Sequence, residues 1–366
     1  MKKIDIALFV FLLALGAGMP STFVGFEPLP KEAPAPPDNP TTPEKVALGK
    51  LLYFDNRLSG DLSTPCAGCH FPALGWGDMG QLSRGYPGSV HWRNSQTVMN
   101  SGFYAKLFWQ GSSLSLESQA KGAATGNLAG NVDTAMAEER MAQVPHYVDA
   151  FKSIWGVNRP SFELAMKAIA AFERTIVSWD TPFDNWLRGN QELPEDAERG
   201  LELFVGKAGC ALCHNGMLLS DERYHDLGVP ENPLFTSSPL HQITLRYQHF
   251  GKGVHEEDYR GAHTDYGLYY TTKIKSDKGK FRTPGLRYIA FSGPFMHNGV
   301  FGSLEEVVDF YDSGGGQGIN KSPLMRPLNL TGEEKSDLIA FLHTLSPAEP
   351  ILMGVPTLPP YAPTEE

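Results

Sequence analysis

The chain of 366 residues has little cysteine, no excess of positive charge and almost no long apolar run. Its 31 Lys and Arg residues are outnumbered by 41 Asp and Glu residues, which gives a formal net charge of −10. Such a balance argues against a nucleic-acid-binding protein, because nucleic acids select basic surfaces. Patterns typical of β-strands are scarce, whereas helical periodicity recurs along the chain. We therefore expect an all-α fold.

The four cysteines are informative because all of them fall in two short motifs. Residues 66–70 (Cys-Ala-Gly-Cys-His) and 210–214 (Cys-Ala-Leu-Cys-His) each match C-x-x-C-H, the attachment sequence of a c-type haem. A dithiol switch or a zinc site would not need a His after each second Cys, and two disulfides would leave both histidines unexplained. The sequence predicts two covalent haems, attached through Cys66, Cys69, Cys210 and Cys213, with His70 and His214 as proximal iron ligands.

The one apolar run indicates export. It spans residues 6–15, follows Lys2 and Lys3, and is too short to cross a bilayer. Residues 1–25 are therefore predicted to be a secretory signal, with a retained anchor as the alternative, because no clean cleavage site follows. No further membrane segment is expected, and in a bacterium the haem domains would lie in the periplasm.

The rest of the chain is predicted to contain two related domains between proline-rich ends. Residues 26–43 hold seven prolines and are expected to form an extended tether, and residues 348–366 form a proline-rich tail. The haem motifs start 144 residues apart, and each follows a helix with a glycine in its middle, Gly49 or Gly200. We interpret this as a duplicated cytochrome-c-like domain over residues 44–190 and 191–347, in which each glycine permits a close helix contact.

Local signals predict three further helices and one long irregular stretch. A helix is expected from a Ser161 cap through Trp179. Capping boxes that begin at Ser303 and Thr331 open helices to about Tyr311 and Leu345. Residues 215–280 show little periodicity and are expected to be irregular and to cover a haem.

Several segments outside the haem motifs resemble the bacterial di-haem cytochrome c peroxidase and MauG family. The similarity extends over residues 44–346 and is carried by residues 51–59, 93–95, 107–111, 281–287, 293–299 and 304–308. The resemblance implies a first haem that meets hydrogen peroxide and a second haem that transfers electrons and has a protein ligand on both faces. It implies that Trp109 lies between the haems, although an ordinary core tryptophan would look the same in sequence.

The resemblance also implies a calcium ion at the domain interface. Its ligands would be the side chain of Asn94 and the backbone carbonyls of Ser292 and Pro294, which are oxygen donors suited to a hard cation. A solvated Asn in a turn is the alternative for Asn94.

The chain departs from the family pattern on the peroxide side. Peroxidases of this family carry a distal Gln and, ten residues later, a distal Glu. Gln119 matches the first position, but the second falls at Ala129, and no carboxylate lies between residues 121 and 132. Gln119 can hydrogen-bond peroxide but cannot take its proton at neutral pH. Where switching peroxidases have a His that caps the first iron, this chain has Tyr86, with His91 five residues further on.

The second haem offers three candidates for its other axial ligand. Family peroxidases use Met and MauG uses Tyr, and the aligned position is Tyr311; Met296 and Met325 compete with it. An anionic phenolate stabilises oxidised iron and lowers its potential.

The resemblance favours peroxide-dependent oxidation. We place first a MauG-like enzyme that oxidises a protein partner through a high-valent state shared by both haems. The alternatives are a cytochrome c peroxidase supplied by a small cytochrome or cupredoxin, and a non-catalytic di-haem electron carrier. The resemblance allows a homodimer, for which the sequence offers no interface signature.

Overall fold

The computed structural model describes residues 25–86 and 88–362, so that nearly all of the predicted signal lies outside the described residues. In this part of the chain, the expected helical fold is confirmed. Two short antiparallel strand pairs accompany the helices: β1 (Arg84–Gly85) with β2 (Ser89–Val90), and β3 (Tyr224–His225) with β4 (Phe281–Arg282). The helices are α1 Pro43–Tyr53, α2 Cys66–Cys69, α3 Leu116–Thr125, α4 Thr134–Ala142, α5 Pro145–Trp155, α6 Phe162–Glu173, α7 Pro182–Leu187, α8 Glu195–Val205, α9 Pro233–Thr236, α10 Pro239–Gly251, α11 Glu256–Tyr259, α12 Tyr269–Thr272, α13 Leu304–Asp312 and α14 Gly332–Thr344.

The same crossing of two helices recurs in the two halves of the molecule. Helix α1 packs on α6 in a first apolar core, and α8 packs on α14 in a second. At each crossing a glycine meets the backbone of the opposite helix. A Cβ on Gly49 would lie 2.0 Å from the carbonyl oxygen of Ala168, and one on Gly200 would lie 2.0 Å from that of Asp337. Each glycine therefore lies at a close contact between two helices, as its position in the middle of a helix predicts.

Of the two predicted capping boxes, the one at Thr331 is complete and the one at Ser303 is partial. At α14, the Thr331 side chain accepts from the backbone N–H of Glu334, and the Glu334 carboxylate accepts from Thr331 N–H. At α13, the Ser303 side chain accepts from the N–H of Glu306 in the same way. The Glu306 carboxylate, however, accepts from the N–H of Gly302. Both helices begin where the sequence predicts.

The helix predicted over residues 161–179 is shorter than expected. Its end at Glu173 follows from a tight turn, in which Thr175 and Ile176 donate backbone hydrogen bonds to the carbonyls three residues earlier. The hydroxyl of Thr175 also donates to Phe172 O and closes the last turn. Ser161 makes no side-chain cap; instead the Glu138 carboxylate accepts from the N–H of Phe162.

The stretch 215–280 is not irregular throughout, because it contains the 13-residue helix α10. Its inner face carries the buried Leu245 and His249. Its outer face exposes apolar side chains, Leu240, Ile243, Tyr247 and Phe250. Apolar residues on both faces hide the helical periodicity, which explains why the sequence pattern did not predict this helix.

The proline-rich ends are extended, and both pack on a core. Phe26 is buried in the second core, with its ring 5.6 Å from that of Phe183. The C-terminal tail, in contrast, packs on the first core. There the indole N–H of Trp76 donates to Ile351 O over 2.7 Å. The predicted tether is therefore a packed segment. Within residues 25–86 and 88–362, no helix has the length and apolar character needed to cross a membrane.

Candidate functional site: two cavities joined by a tryptophan

The first C-x-x-C-H motif opens onto a cavity of about 670 Å³ in the first half of the molecule. Short helix α2 holds Cys66 and Cys69, and His70 follows at its end. The hydroxyl of Tyr53, from α1, donates to the carbonyl of His70 over 2.7 Å and fixes the backbone there. Cys66, Cys69 and His70 all line the cavity.

The second motif lines a separate cavity of about 270 Å³. Cys210, Cys213 and His214 stand at its wall, after a turn that begins at Gly209. The Nδ1 atom of His214 lies 3.0 Å from the carbonyl of Leu219, which fits an Nδ1–H donor and leaves Nε2 free to act as a ligand. Burial lowers the pKa of His214, so that the ring stays neutral.

The chemistry of the four thiols fits porphyrin attachment better than zinc. Burial raises the pKa of Cys66 and of Cys210 to about 12, and that of Cys69 and of Cys213 to about 11. A four-ligand zinc site cannot draw on both Cys pairs, because they line separate cavities. Reduced, unbridged cysteines followed directly by a His on a cavity wall are what thioether attachment of a haem requires.

Trp109 lines both cavities. Its indole N–H donates to the carbonyl of Asn94 over 2.9 Å, and its own carbonyl accepts from the N–H of Arg282. Since Asn94 belongs to the first half of the chain and Arg282 to the second, both halves fix the position of this ring. His297 packs edge-on against the indole, with 6.4 Å between ring centroids.

Three predicted ligand candidates share the second cavity. Tyr311 lies near the end of α13, and its side chain lines the cavity together with Met296 and Met325. Burial raises the pKa of Tyr311, and the nearby Cys210 and Cys213 add to this effect. All three candidates thus face the same space as His214.

The wall of the first cavity carries the residues that the sequence singled out on the peroxide side. Gln119 reaches it from α3, and Ala129 lines it from the turn over residues 126–131. The position of the missing acid therefore does face the cavity. Tyr86 is not part of this wall, whereas His91 is; its Nε2 lies 2.6 Å from Leu128 O and holds the hairpin β1–β2 against that turn.

Glu173 is a titratable group in this cavity that the sequence analysis missed. It is buried at the end of α6, one of its carboxyl oxygens has no hydrogen-bond partner in the described chain, and burial raises its pKa to about 8. The hydroxyl of Ser101, on the same wall, likewise has no partner there. The signal available in the sequence was a carboxylate within the apolar face of α6, between Phe172 and Arg174.

The predicted calcium ligands lie along the contact between the two halves. Asn94 is buried, its side-chain NH₂ donates to Gly80 O over 2.9 Å, and its backbone N–H donates to His297 O over 2.8 Å. That second contact is three residues from Pro294. Among the described residues, one group of three acidic, His or Cys side chains lies close enough to share an ion, Cys213, Asp221 and His225, and it flanks the second haem motif instead.

Comparisons with known proteins agree with this arrangement. A family model described as di-haem cytochrome c peroxidase matches residues 43–192. The chain is 53% identical over 365 residues to cytochrome-c peroxidase IdrP1 of Pseudomonas sp. (strain SCT), a match that covers 98% of this chain and 96% of the relative. The chain belongs to the di-haem cytochrome c peroxidase and MauG family. It is an enzyme, a di-haem oxidoreductase of the peroxidase type, and the family implies two c-type haems.

MauG proteins are more distant relatives of this peroxidase-family enzyme. It is 36% identical over 332 residues to the methylamine utilization protein MauG of Methylorubrum extorquens, with 90% of this chain and 86% of the relative covered. A solved structure of a MauG-like protein associated with microbial copper homeostasis superposes with a TM-score of 0.74 at 31% identity. That match covers 88% of this chain and 96% of the other.

Proposed function

We propose that this enzyme is an exported peroxidase that reduces hydrogen peroxide in the first cavity, with electrons that enter through the second. The observation that carries the proposal is Trp109, which lines both cavities and is held by hydrogen bonds from both halves of the chain. A bound haem would supply the redox chemistry of peroxide reduction. Gln119, which lines the first cavity, supports placing the small substrate there.

The residues of the first cavity support binding and protonation of peroxide. The amide of Gln119 is a donor for the peroxide oxygens, and it does not titrate. Glu173 holds its proton at neutral pH, because burial raises its pKa to about 8. The loss of the family's Glu at Ala129 therefore leaves the cavity with an acid but without a base that is ionised at pH 7. Slow initial deprotonation of peroxide is the expected consequence.

In the second cavity, His214 and Tyr311 are the residues that would hold the iron of a bound haem. Tyr311 lines this cavity near Cys210 and Cys213, and it lies on a helix that is fixed at its start by Ser303. The preference for peroxide reduction comes from the relatives, since the protein that is 53% identical is named a cytochrome-c peroxidase. The proposed electron donor is a small periplasmic cytochrome or cupredoxin.

MauG-like oxidation of a protein partner is the second candidate, and Tyr311 is the observation that favours it. A phenolate on the second iron favours high oxidation states and makes that haem a poor acceptor of electrons from a cytochrome. In this case Trp109 would carry oxidising equivalents in the opposite direction, from the first cavity toward the partner.

Stopped-flow mixing of the purified holoenzyme with hydrogen peroxide tests the proposal. We expect a change in the haem spectrum, followed by its reversal on addition of a reduced cytochrome or cupredoxin. Trp109→Phe should slow the reversal at least tenfold and leave the first reaction unchanged, because the ring keeps its bulk but is harder to oxidise. Trp186→Phe, which changes a tryptophan packed in the second core, is the matched control. Equal rates for Trp109→Phe and the unmodified enzyme would contradict the proposal.

A further inference from the structure

Three tyrosines and a histidine lead away from the first cavity in ring-to-ring contact. Tyr270 is buried in the cavity wall, and its ring centroid lies 5.4 Å from that of His249. His249 stacks on Tyr266 at 5.1 Å, and Tyr266 meets Tyr269 edge-on at 5.9 Å. All these separations are within the range of interacting aromatic pairs, so the rings form one continuous path. Trp109 leads in another direction, toward the second cavity.

We propose that Tyr270, Tyr266 and Tyr269 form a relay that carries one-electron oxidation from the first cavity to Tyr269, where the Asp258 carboxylate takes the phenolic proton. This inference rests on the proposed reaction of peroxide in the first cavity. It adds a redox-active tyrosine and a second path for oxidising equivalents to the route through Trp109.

The end of the relay is built to release a proton. The hydroxyl of Tyr269 donates to Oδ2 of Asp258 over 2.7 Å. Oxidised phenols are strong acids, so a tyrosine loses its electron readily only where a base accepts the proton. Tyr270 lacks such a base, since its hydroxyl donates to the amide oxygen of Gln248. A stable radical is therefore expected on Tyr269 rather than on Tyr270.

The charges along the relay permit a positive hole to pass. His249 lies between the first two tyrosines with both ring nitrogens unpartnered in the described chain, and burial lowers its pKa to about 4. It is a neutral bridge and does not repel the hole. Three cations do lie over relay rings: Arg93 and Lys273 over Tyr270, and Lys278 over Tyr266 and Tyr269.

Two of these cations are paired with a carboxylate that offsets their charge, whereas the Lys273 ammonium donates to the carbonyl of Tyr270. Arg93 forms a buried ion pair with Asp265, and Lys278 pairs with Asp258, the proton acceptor of Tyr269. The pairing lowers the cost of placing a hole on the rings beneath.

The electrons balance as follows. Peroxide takes up two electrons and two protons when it becomes two water molecules. The relay supplies one electron, Tyr269 is left as a neutral radical, and its proton passes to Asp258. The second electron comes from the haem pair or, when it is present, from the external donor.

Freeze-quench EPR of the holoenzyme tests the relay. Mixed with hydrogen peroxide in the absence of a reductant, the enzyme should give a tyrosyl signal whose hyperfine splitting collapses when the tyrosines are ring-deuterated. Tyr269→Phe and Tyr270→Phe should each reduce the spin count at least fivefold. The Tyr270→Phe variant should do so even though Tyr269, which holds the radical, is unchanged. Asp258→Asn should lower the spin count similarly. Tyr259→Phe, which changes a ring packed on Phe250 outside the relay, should leave the signal unchanged.

A second measurement on the unmodified protein keeps the test valid if a variant fails to fold. High-field EPR of the radical should show the lowered g value of a phenoxyl oxygen that accepts a hydrogen bond, as the contact between Tyr269 and Asp258 predicts. A haem spectrum that responds to peroxide without any tyrosyl signal, or a full signal in Tyr269→Phe, would overturn the relay alone. A haem spectrum that does not respond would overturn the proposed function, and the relay with it.

Discussion

Replacing Gly200 with Ala should loosen the crossing of α8 and α14 that encloses the second cavity. The added methyl would lie 2.0 Å from Asp337 O and 2.8 Å from the Cβ of Phe341. Carbon atoms pack at about 3.5–4.0 Å from their neighbours, so the helices would have to separate by about 1 Å or more. Overpacking of this kind costs about 1–3 kcal/mol and can cost more. The better helix propensity of Ala returns about 1 kcal/mol. Because backbone cannot move aside as a flexible side chain does, we expect a net loss of about 2 kcal/mol.

Guanidinium unfolding of the holoenzyme, followed by circular dichroism and by the haem absorption band, would measure this loss as a lower midpoint at constant slope. The matched control is Gly251→Ala at the end of α10, where a Cβ meets nothing within 4 Å. It should be neutral or slightly stabilising. A Gly200→Ala variant as stable as the control would refute the close crossing. Gly49→Ala should reproduce the loss in the first domain, where Ala168 takes the place of Asp337.

Three further predictions concern single side chains. The folded state keeps the Glu173 proton between pH 4.5 and about 8, whereas the unfolded state loses it, so stability should fall as pH rises through that window. Glu173→Gln should flatten this part of the pH profile of unfolding, and an unchanged slope would argue against a buried acid. Tyr311→Met should raise the potential of the second haem in a redox titration, and an unchanged potential would exclude Tyr311 as its ligand. Asp184→Ala should cost about 3–5 kcal/mol in denaturant unfolding, because it leaves the buried Arg287 unpaired. The control Glu256→Ala, in an exposed pair with Arg260, should cost less than about 1 kcal/mol; equal losses would contradict the argument.

The features that the sequence predicted correctly depend on short-range rules. The helix class follows from periodicity, and the starts of α13 and α14 follow from caps at Ser303 and Thr331. The glycines of α1 and α8 predicted close contacts, because a helix tolerates glycine in its middle only for such a reason. The two C-x-x-C-H motifs each line a cavity, and the family that they suggested together with the segments around them is confirmed.

The features that were missed depend on contacts between distant parts of the chain. Helix α6 stops at Glu173 because of a turn whose following residues are tied to the first domain; Ser178 N–H donates to the side chain of Asn100. Helix α10 was missed because its outer face is apolar in a stretch that otherwise appears polar. The sequence predicts a helix that contains Glu173, but it does not predict that Glu173 lines a cavity. The residues near Glu173 in the sequence do not show which side chains will face a distant haem motif.

Each end of the chain packs on the core formed mainly by the opposite half, and this arrangement has a consequence for biosynthesis. Phe26 belongs to the second core, while residues 351–358 pack on the first. During synthesis the motif at residues 66–70 emerges early, but the core around it lacks the side chains of the tail until the last residues are made. We expect the first pair of thiols to stay more accessible to haem while the rest of the chain is synthesised. A fragment cut between residues 190 and 191 would separate each core from the terminal segment that packs on it.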